Sequence, residues 1–163
     1  DVAELIWGSE LFYALYDDED TVHALLSLIC DTYERFMDKW NKMFPPQGYA
    51  FHWGLMFKGT IMLRDDSAMN LSSEMFGEYI KPYDARLLKK FGGGAVHFCG
   101  RGDHYIKQLC EMDGLNAVNL SQPGYNDMEE IYRNTVDKGI KLIGLAPETA
   151  EADRDRVKGQ ACV

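Results

Sequence analysis

The chain has 163 residues, 46% hydrophobic and 26% charged, with a formal net charge of −9. That length and mixture suit one soluble globular domain with a core of its own, and they exclude low-complexity and disulfide-framework proteins. The acidic balance argues against nucleic acid or an anionic membrane surface as the partner, and no apolar run reaches membrane-spanning length.

Residues 1 to about 16 place Leu5, Ile6, Leu11, Phe12 and Leu15 at helical spacing. Asp1 is not Met and the chain opens directly inside this pattern, which points to a fragment or a processed protein. Asp17-Asp18-Glu19-Asp20 breaks the pattern, and its last residue can cap the next helix. That helix is the clearest in the sequence. Val22, Leu25, Leu26, Ile29, Tyr33, Phe36, Met37 and Trp40 form one stripe, and Pro45-Pro46 stops it.

Tyr49 to Trp53 reads as an aromatic strand in which His52 opposes the aromatic face, as a core histidine or as a group lining a cavity. Ile61 to Asp66 is a second strand, ending in the carboxylates Asp65 and Asp66. Ser72-Ser73-Glu74 opens a helix through about Phe91, with Pro82 forcing a kink or break near Lys81. Gly92 to Gly102 then reads as a short buried strand ending in a glycine loop, and a helical run from Tyr105 to Met112 follows. Ala117 to Ser121 is another strand. Asn126 and Glu129 have capping-box spacing before a helix that ends at Gly139. Lys141 to Leu145 gives a further strand, Pro147 starts a short helix, and Gln160 to Val163 forms the last strand.

A helical lead-in over 1–46 followed by β/α repeats over 47–163, within a single domain, specifies a parallel sheet with right-handed crossovers. No dinucleotide fingerprint, phosphate loop or nucleophile elbow is present. A complete (β/α)8 barrel takes about 250 residues. Polar groups on one face of two successive strands favour a partial (β/α)8 (TIM) barrel with outer helices over an open doubly wound sheet.

The strand Ala95-Val96-His97-Phe98-Cys99 carries the chemistry. Alternation puts Ala95, His97 and Cys99 on one face and Val96 and Phe98 on the other. Imidazole and thiolate are both good zinc ligands, and sites in α/β folds gather at the carboxyl ends of strands. Two ligands are too few for a structural zinc site, and buried His and Cys are commonly inert. Cys30 and Cys110 lie in helical runs and belong to the core, and scattered cysteines fit a reducing cytoplasm.

Asp65 to Ser72, Phe76 to Tyr83 with its Lys-Pro-Tyr end, His97-Phe98-Cys99-Gly100, Ala117 to Pro123 and Gly139 to Leu145 together resemble the carboxyl-terminal half of the uroporphyrinogen decarboxylase superfamily. The resemblance implies a (β/α)8 barrel whose amino-terminal strands lie outside this chain. It is nearer to the cobalamin-dependent methyltransferase branch, in which a His-x-Cys pair and a distant Cys hold zinc. It therefore implies His97, Cys99 and Cys162 as metal ligands. Zinc-bound thiol would accept a methyl group from a corrinoid or another methylated donor, with a corrinoid protein as a possible partner.

Asp65 or Asp66 would orient a ligand or substrate group, or else cap the following turn. His52, Arg101, Asn119, Ser121 and Gln122 would line the substrate site. Two alternatives accompany this reading. One is a metal-free porphyrinogen decarboxylase-like pocket, served here only by Arg64 and Arg101. The other is an inert fragment or subunit that completes its barrel by homo-oligomerisation or with the missing half.

Overall fold

The computed structural model describes residues 1–157 and 159–162, Cys162 by its backbone alone. The chain divides into two compact units, Asp1–Pro46 and Gln47–Val163.

The first unit is helical: α1 (Val2–Trp7), α2 (Leu11–Asp17) and the 25-residue α3 (Glu19–Met43). Asp18, not the last residue of the acidic run, caps α3 by accepting a hydrogen bond from the Thr21 amide. Glu19 and Asp20 already lie inside the first turn, where carboxylates favour the positive helix end. The apolar stripe divides along its length. Val22 is buried, with Cys30 of the same helix, whereas Phe36 and Trp40 are exposed and continue into the exposed Phe44 just past the helix end, with successive ring centroids 6.1 and 4.6 Å apart. No described helix is long and apolar enough to cross a membrane.

The second unit begins with an antiparallel hairpin, β1 (Tyr49–His52) and β2 (Leu55–Lys58). Tyr49 to Trp53 is therefore not the strand of a β/α repeat. It is half of a hairpin whose two-residue turn, Trp53-Gly54, has φ of 48° and 80°. Positive φ at both turn residues gives the twist that a two-residue hairpin needs, and glycine meets it without strain. Ala50, Leu55 and Phe57 on the inner face pack against Met62, Ala95, Ala117 and Ile143.

That apolar contact lies on a parallel sheet of five strands in sequence order: β3 (Ile61–Arg64), β4 (Gly94–Phe98), β5 (Leu115–Leu120), β6 (Lys141–Ile143) and β7 (Ala161–Cys162). The chain is thus an α/β protein with a parallel sheet flanked by helices. Val163 of the expected last strand lies outside the described residues.

Helices fill each crossover. Ser72 caps α4 (Ser73–Tyr79), and α5 (Lys81–Lys90) follows after a break at Ile80. Pro82 explains the break: it has no amide to continue the first helix, but fits the opening turn of the second. Between β4 and β5 lies α6 (Ile106–Leu109), shorter than expected. After β5, α7 (Met128–Asn134) is capped by Asp127, one residue past the expected Asn126. It tightens into a 3-10 turn ending at Gly139, φ 78°. α8 (Pro147–Ala152) and α9 (Arg154–Val157) precede β7. On the helix side of the sheet Phe98 meets Tyr105 edge-on, and Tyr105 stacks on Phe76 at 4.5 Å. All three rings are fully buried.

Candidate metal centre

Register puts one row of residues across the sheet. Arg64 pairs with His97, His97 with Asn119, Asn119 with Ile143, and Ile143 with Cys162. Residues paired across a parallel ladder share a face, so Arg64, His97 and Asn119 face the same way. Cys99 and Asp66 follow just beyond the carboxyl ends of β4 and β3.

His97 is fully buried, and both of its ring nitrogens are engaged. Nδ1 lies 2.6 Å from Asn119 Oδ1. The Asn119 amide cannot turn over freely, because its Nδ2 donates to the Ile143 carbonyl at 2.6 Å. Oδ1 therefore faces the ring as an acceptor, and Nδ1 carries the proton. In the neutral imidazole this leaves the lone pair on Nε2.

Nε2 points at two further Lewis bases. Asp66 Oδ1 is 3.1 Å away and Cys99 Sγ is 3.3 Å away. The three ligand atoms all lie within 4.8 Å of one another. For a tetrahedral zinc with ordinary bond lengths, neighbouring N and O or N and S donors stand about 3.4–3.6 Å apart. The observed spacings are a few tenths of an ångström shorter, which small side-chain rotations absorb.

The electrostatics set an ionised carboxylate beside a protonated thiol. Burial works against ionisation of Asp66. Hydrogen bonds from Arg64 Nη2 (2.9 Å) and the Cys99 amide (3.0 Å), together with His97, outweigh it and hold the carboxylate below its usual range. Burial pushes the Cys99 thiol up; Asp66 adds to this, and a hydrogen bond with Ser121 partly offsets it. A carboxylate and a prospective thiolate thus converge on one nitrogen lone pair. A divalent metal between them would deprotonate the thiol outright.

The hairpin turn covers His97. The Trp53 ring meets it edge-on at 5.6 Å between centroids, and Arg64 stacks on Trp53 at 4.8 Å. His52 lies against Trp53 at 4.7 Å. Gly144, φ 70°, closes the other side: a Cβ there would stand 2.5 Å from Asn119 Nδ2 and 2.8 Å from Leu55 Cδ1.

The remaining expected site residues separate by role. Asp65 does not reach the centre. Its parity is that of buried Ile61 and Leu63, and its carboxyl lies toward that of half-buried Asp84 of α5 instead. Burial and that neighbouring acid push Asp65 well above the usual carboxylate range. Asn119 holds His97. Gln122 accepts from the Gly100 amide at 2.7 Å, so it shapes the loop. Arg101 is exposed and ion-paired with Asp103 at 2.8 Å. The side chain of Cys162 lies outside the described residues; its backbone belongs to the same register row as His97, three strands away.

Sequence reasoning missed Trp53 as the cover of His97, and missed Asn126. Asn126 Oδ1 accepts from the Gly102 and Asp103 amides, and its Nδ2 donates to the Gly100 carbonyl. Arg64 had a visible signal, because it and Asp66 are two residues apart and share parity. Searches among family models, characterised proteins and solved structures find no match to this chain.

Proposed function

We propose that Asp66, His97 and Cys99 bind one zinc ion whose fourth position takes a substrate thiol, and that the chain belongs to an enzyme methylating that thiol. The observation that carries the metal reading is the convergence of a carboxylate oxygen, a thiol sulfur and an imidazole lone pair fixed by Asn119. Formal charges favour an anionic fourth ligand. Zinc contributes +2, Asp66 and Cys99 −1 each, and the Arg64 on Asp66 +1, leaving a net +1 at the centre. A thiolate neutralises that charge, and zinc keeps it nucleophilic at neutral pH.

Methyl transfer from a corrinoid or another methylated donor rests on the resemblance of His97-Phe98-Cys99 and its neighbouring segments to the methyltransferase branch. Membership of a (β/α)8 barrel is supported by the unbroken sequential order β3 to β7. A doubly wound sheet instead reverses its strand order at a switch point. In the barrel reading, further strands pair at the β3 and β7 edges.

A second reading has its own observation. Cys99 Sγ, His97 Nε2, His97 Nδ1 and Asn119 Oδ1 form a chain, the layout of a thiol nucleophile with its base and orienting group. Asp66 tells against it, since the carboxylate competes for the same Nε2 and makes Cys99 harder to ionise. The decarboxylase-like reading has less support, because Arg64 and Arg101 are each already paired with a carboxylate.

Titration of apoprotein with zinc in the presence of a competing chelator tests the proposal. One zinc per chain, lost in Cys99→Ser and His97→Ala, supports it. Failure to bind zinc stoichiometrically ends the metal reading. With zinc loaded, methylated thiol produced from methylcobalamin tests the methyl-transfer step.

A further inference from the structure

A thiol gives up its proton as it binds a metal, and a base held beside the centre speeds that transfer. His52 is placed to do so. Alternation along β1 puts it on the inner face with Ala50, the residue that packs on Ala95, Ala117 and Ile143. The hairpin register pairs it with Leu55, which borders Asn119 and Gly144. His52 therefore stands over the carboxyl end of the sheet, on the side that His97 faces. Its ring lies against Trp53, and Trp53 lies against His97.

His52 Nε2 is buried and has no hydrogen-bond partner. A buried imidazole nitrogen without a partner costs stability, and such atoms in a native fold call for an explanation. The charged and titratable groups that act on it are Arg64 from β3 and His97 from β4. Burial first, then these two neighbours, hold His52 below the usual imidazole range, so the ring is neutral at neutral pH.

We propose that His52 Nε2 accepts the proton of the incoming substrate thiol. The inference rests on the metal reading above. In the step, the S–H bond breaks and its electron pair becomes the bond from sulfur to the metal. The proton passes to the Nε2 lone pair, with the ring's own proton on Nδ1, and a metal-bound water leaves. No oxidant or reductant is needed. His52 then returns the proton to solvent at the exposed hairpin turn, where Trp53 is 68% exposed.

The experiment uses cobalt(II) in place of zinc, because thiolate binding to cobalt is visible in absorption, and 2-mercaptoethanol as the probe. Stopped-flow mixing measures the rate at which the thiol joins the metal, independently of turnover. His52→Gln preserves size and polarity but lacks a basic nitrogen. It is expected to bind cobalt as tightly as wild type and to slow thiol association about a hundredfold, as loss of general base catalysis does. Added imidazole is expected to restore much of the rate.

A His52→Gln rate within twofold of wild type overturns the proposal, as does a slowed rate that imidazole leaves unchanged. Folding is followed by circular dichroism and by cobalt stoichiometry, with His52→Asn as a second variant. Failure of the wild-type protein itself to bind cobalt overturns the underlying metal reading, which is a separate result.

Discussion

Replacing Asn119 with alanine is expected to damage the centre without touching a ligand. The side chain is 4% exposed and makes two short hydrogen bonds, both 2.6 Å, to His97 Nδ1 and to the Ile143 carbonyl. Asn119→Ala leaves both partners buried and unpaired, at about 1–3 kcal/mol each. The His97 ring also loses what fixes its tautomer and direction. Removing such a partner typically lowers metal affinity 10–100-fold, or about 1.4–2.7 kcal/mol. Asn119→Asp separates the two effects. It keeps an acceptor for the Nδ1 proton, so zinc affinity stays within about tenfold of wild type. It also sets a carboxylate oxygen against the Ile143 carbonyl, so stability still falls. Urea unfolding in excess chelator measures the first quantity, and competition for zinc with a fluorescent chelator measures the second. Zinc affinity of Asn119→Ala within threefold of wild type would refute the tautomer argument.

Three further outcomes follow from the packing. Asp84 is half-buried with its Oδ2 shielded from solvent, and burial of the carboxyl pushes it up to about 6, so the folded protein holds protons that the unfolded chain releases from about pH 4. Its contribution is complete below pH 4 and lost as pH rises through about 6, opposite to that of Asp66, whose carboxylate loses its stabilising effect only below the usual range. Asp84→Asn is expected to raise Tm at pH 7 relative to wild type and to leave it little changed at pH 4; equal shifts at both pH values would contradict this. Phe57→Ala removes the hairpin's anchor on Ala95, Ala117 and Ile143, at about 3–5 kcal/mol in urea unfolding. A loss under 1 kcal/mol would mean the hairpin does not depend on that contact. Gly144→Ala combines positive φ with a collision against Asn119, so both stability and zinc affinity should drop; a loss of stability with unchanged affinity would uncouple Gly144 from the centre.

The strands were legible because their patterns are local. Alternation alone paired His97 with Cys99, and Pro82 alone marked the break before α5. The hairpin was not legible, because a tryptophan rarely occupies a positive-φ turn position and Trp53-Gly54 lacks the usual Asn-Gly or Asp-Gly signal. Asp66 could have been told from Asp65 by parity, since Ile61, Leu63 and Asp65 must share a face. Its approach to His97 depends on the register between β3 and β4, which no local pattern encodes. The roles of Asn126 and Asp127 were misassigned by one residue, because either side chain can cap a helix and only the packing of the glycine loop decides between them.

X-ray absorption at the zinc edge of the stoichiometrically loaded protein reads the ligand set directly. Asp66, His97 and Cys99 require one sulfur and otherwise nitrogen or oxygen donors per zinc, with the sulfur lost in Cys99→Ser and the light-atom shell altered in Asp66→Asn. Two sulfurs per zinc, unchanged by Asp66→Asn, would instead make Cys162 the third ligand and remove Asp66 from the centre.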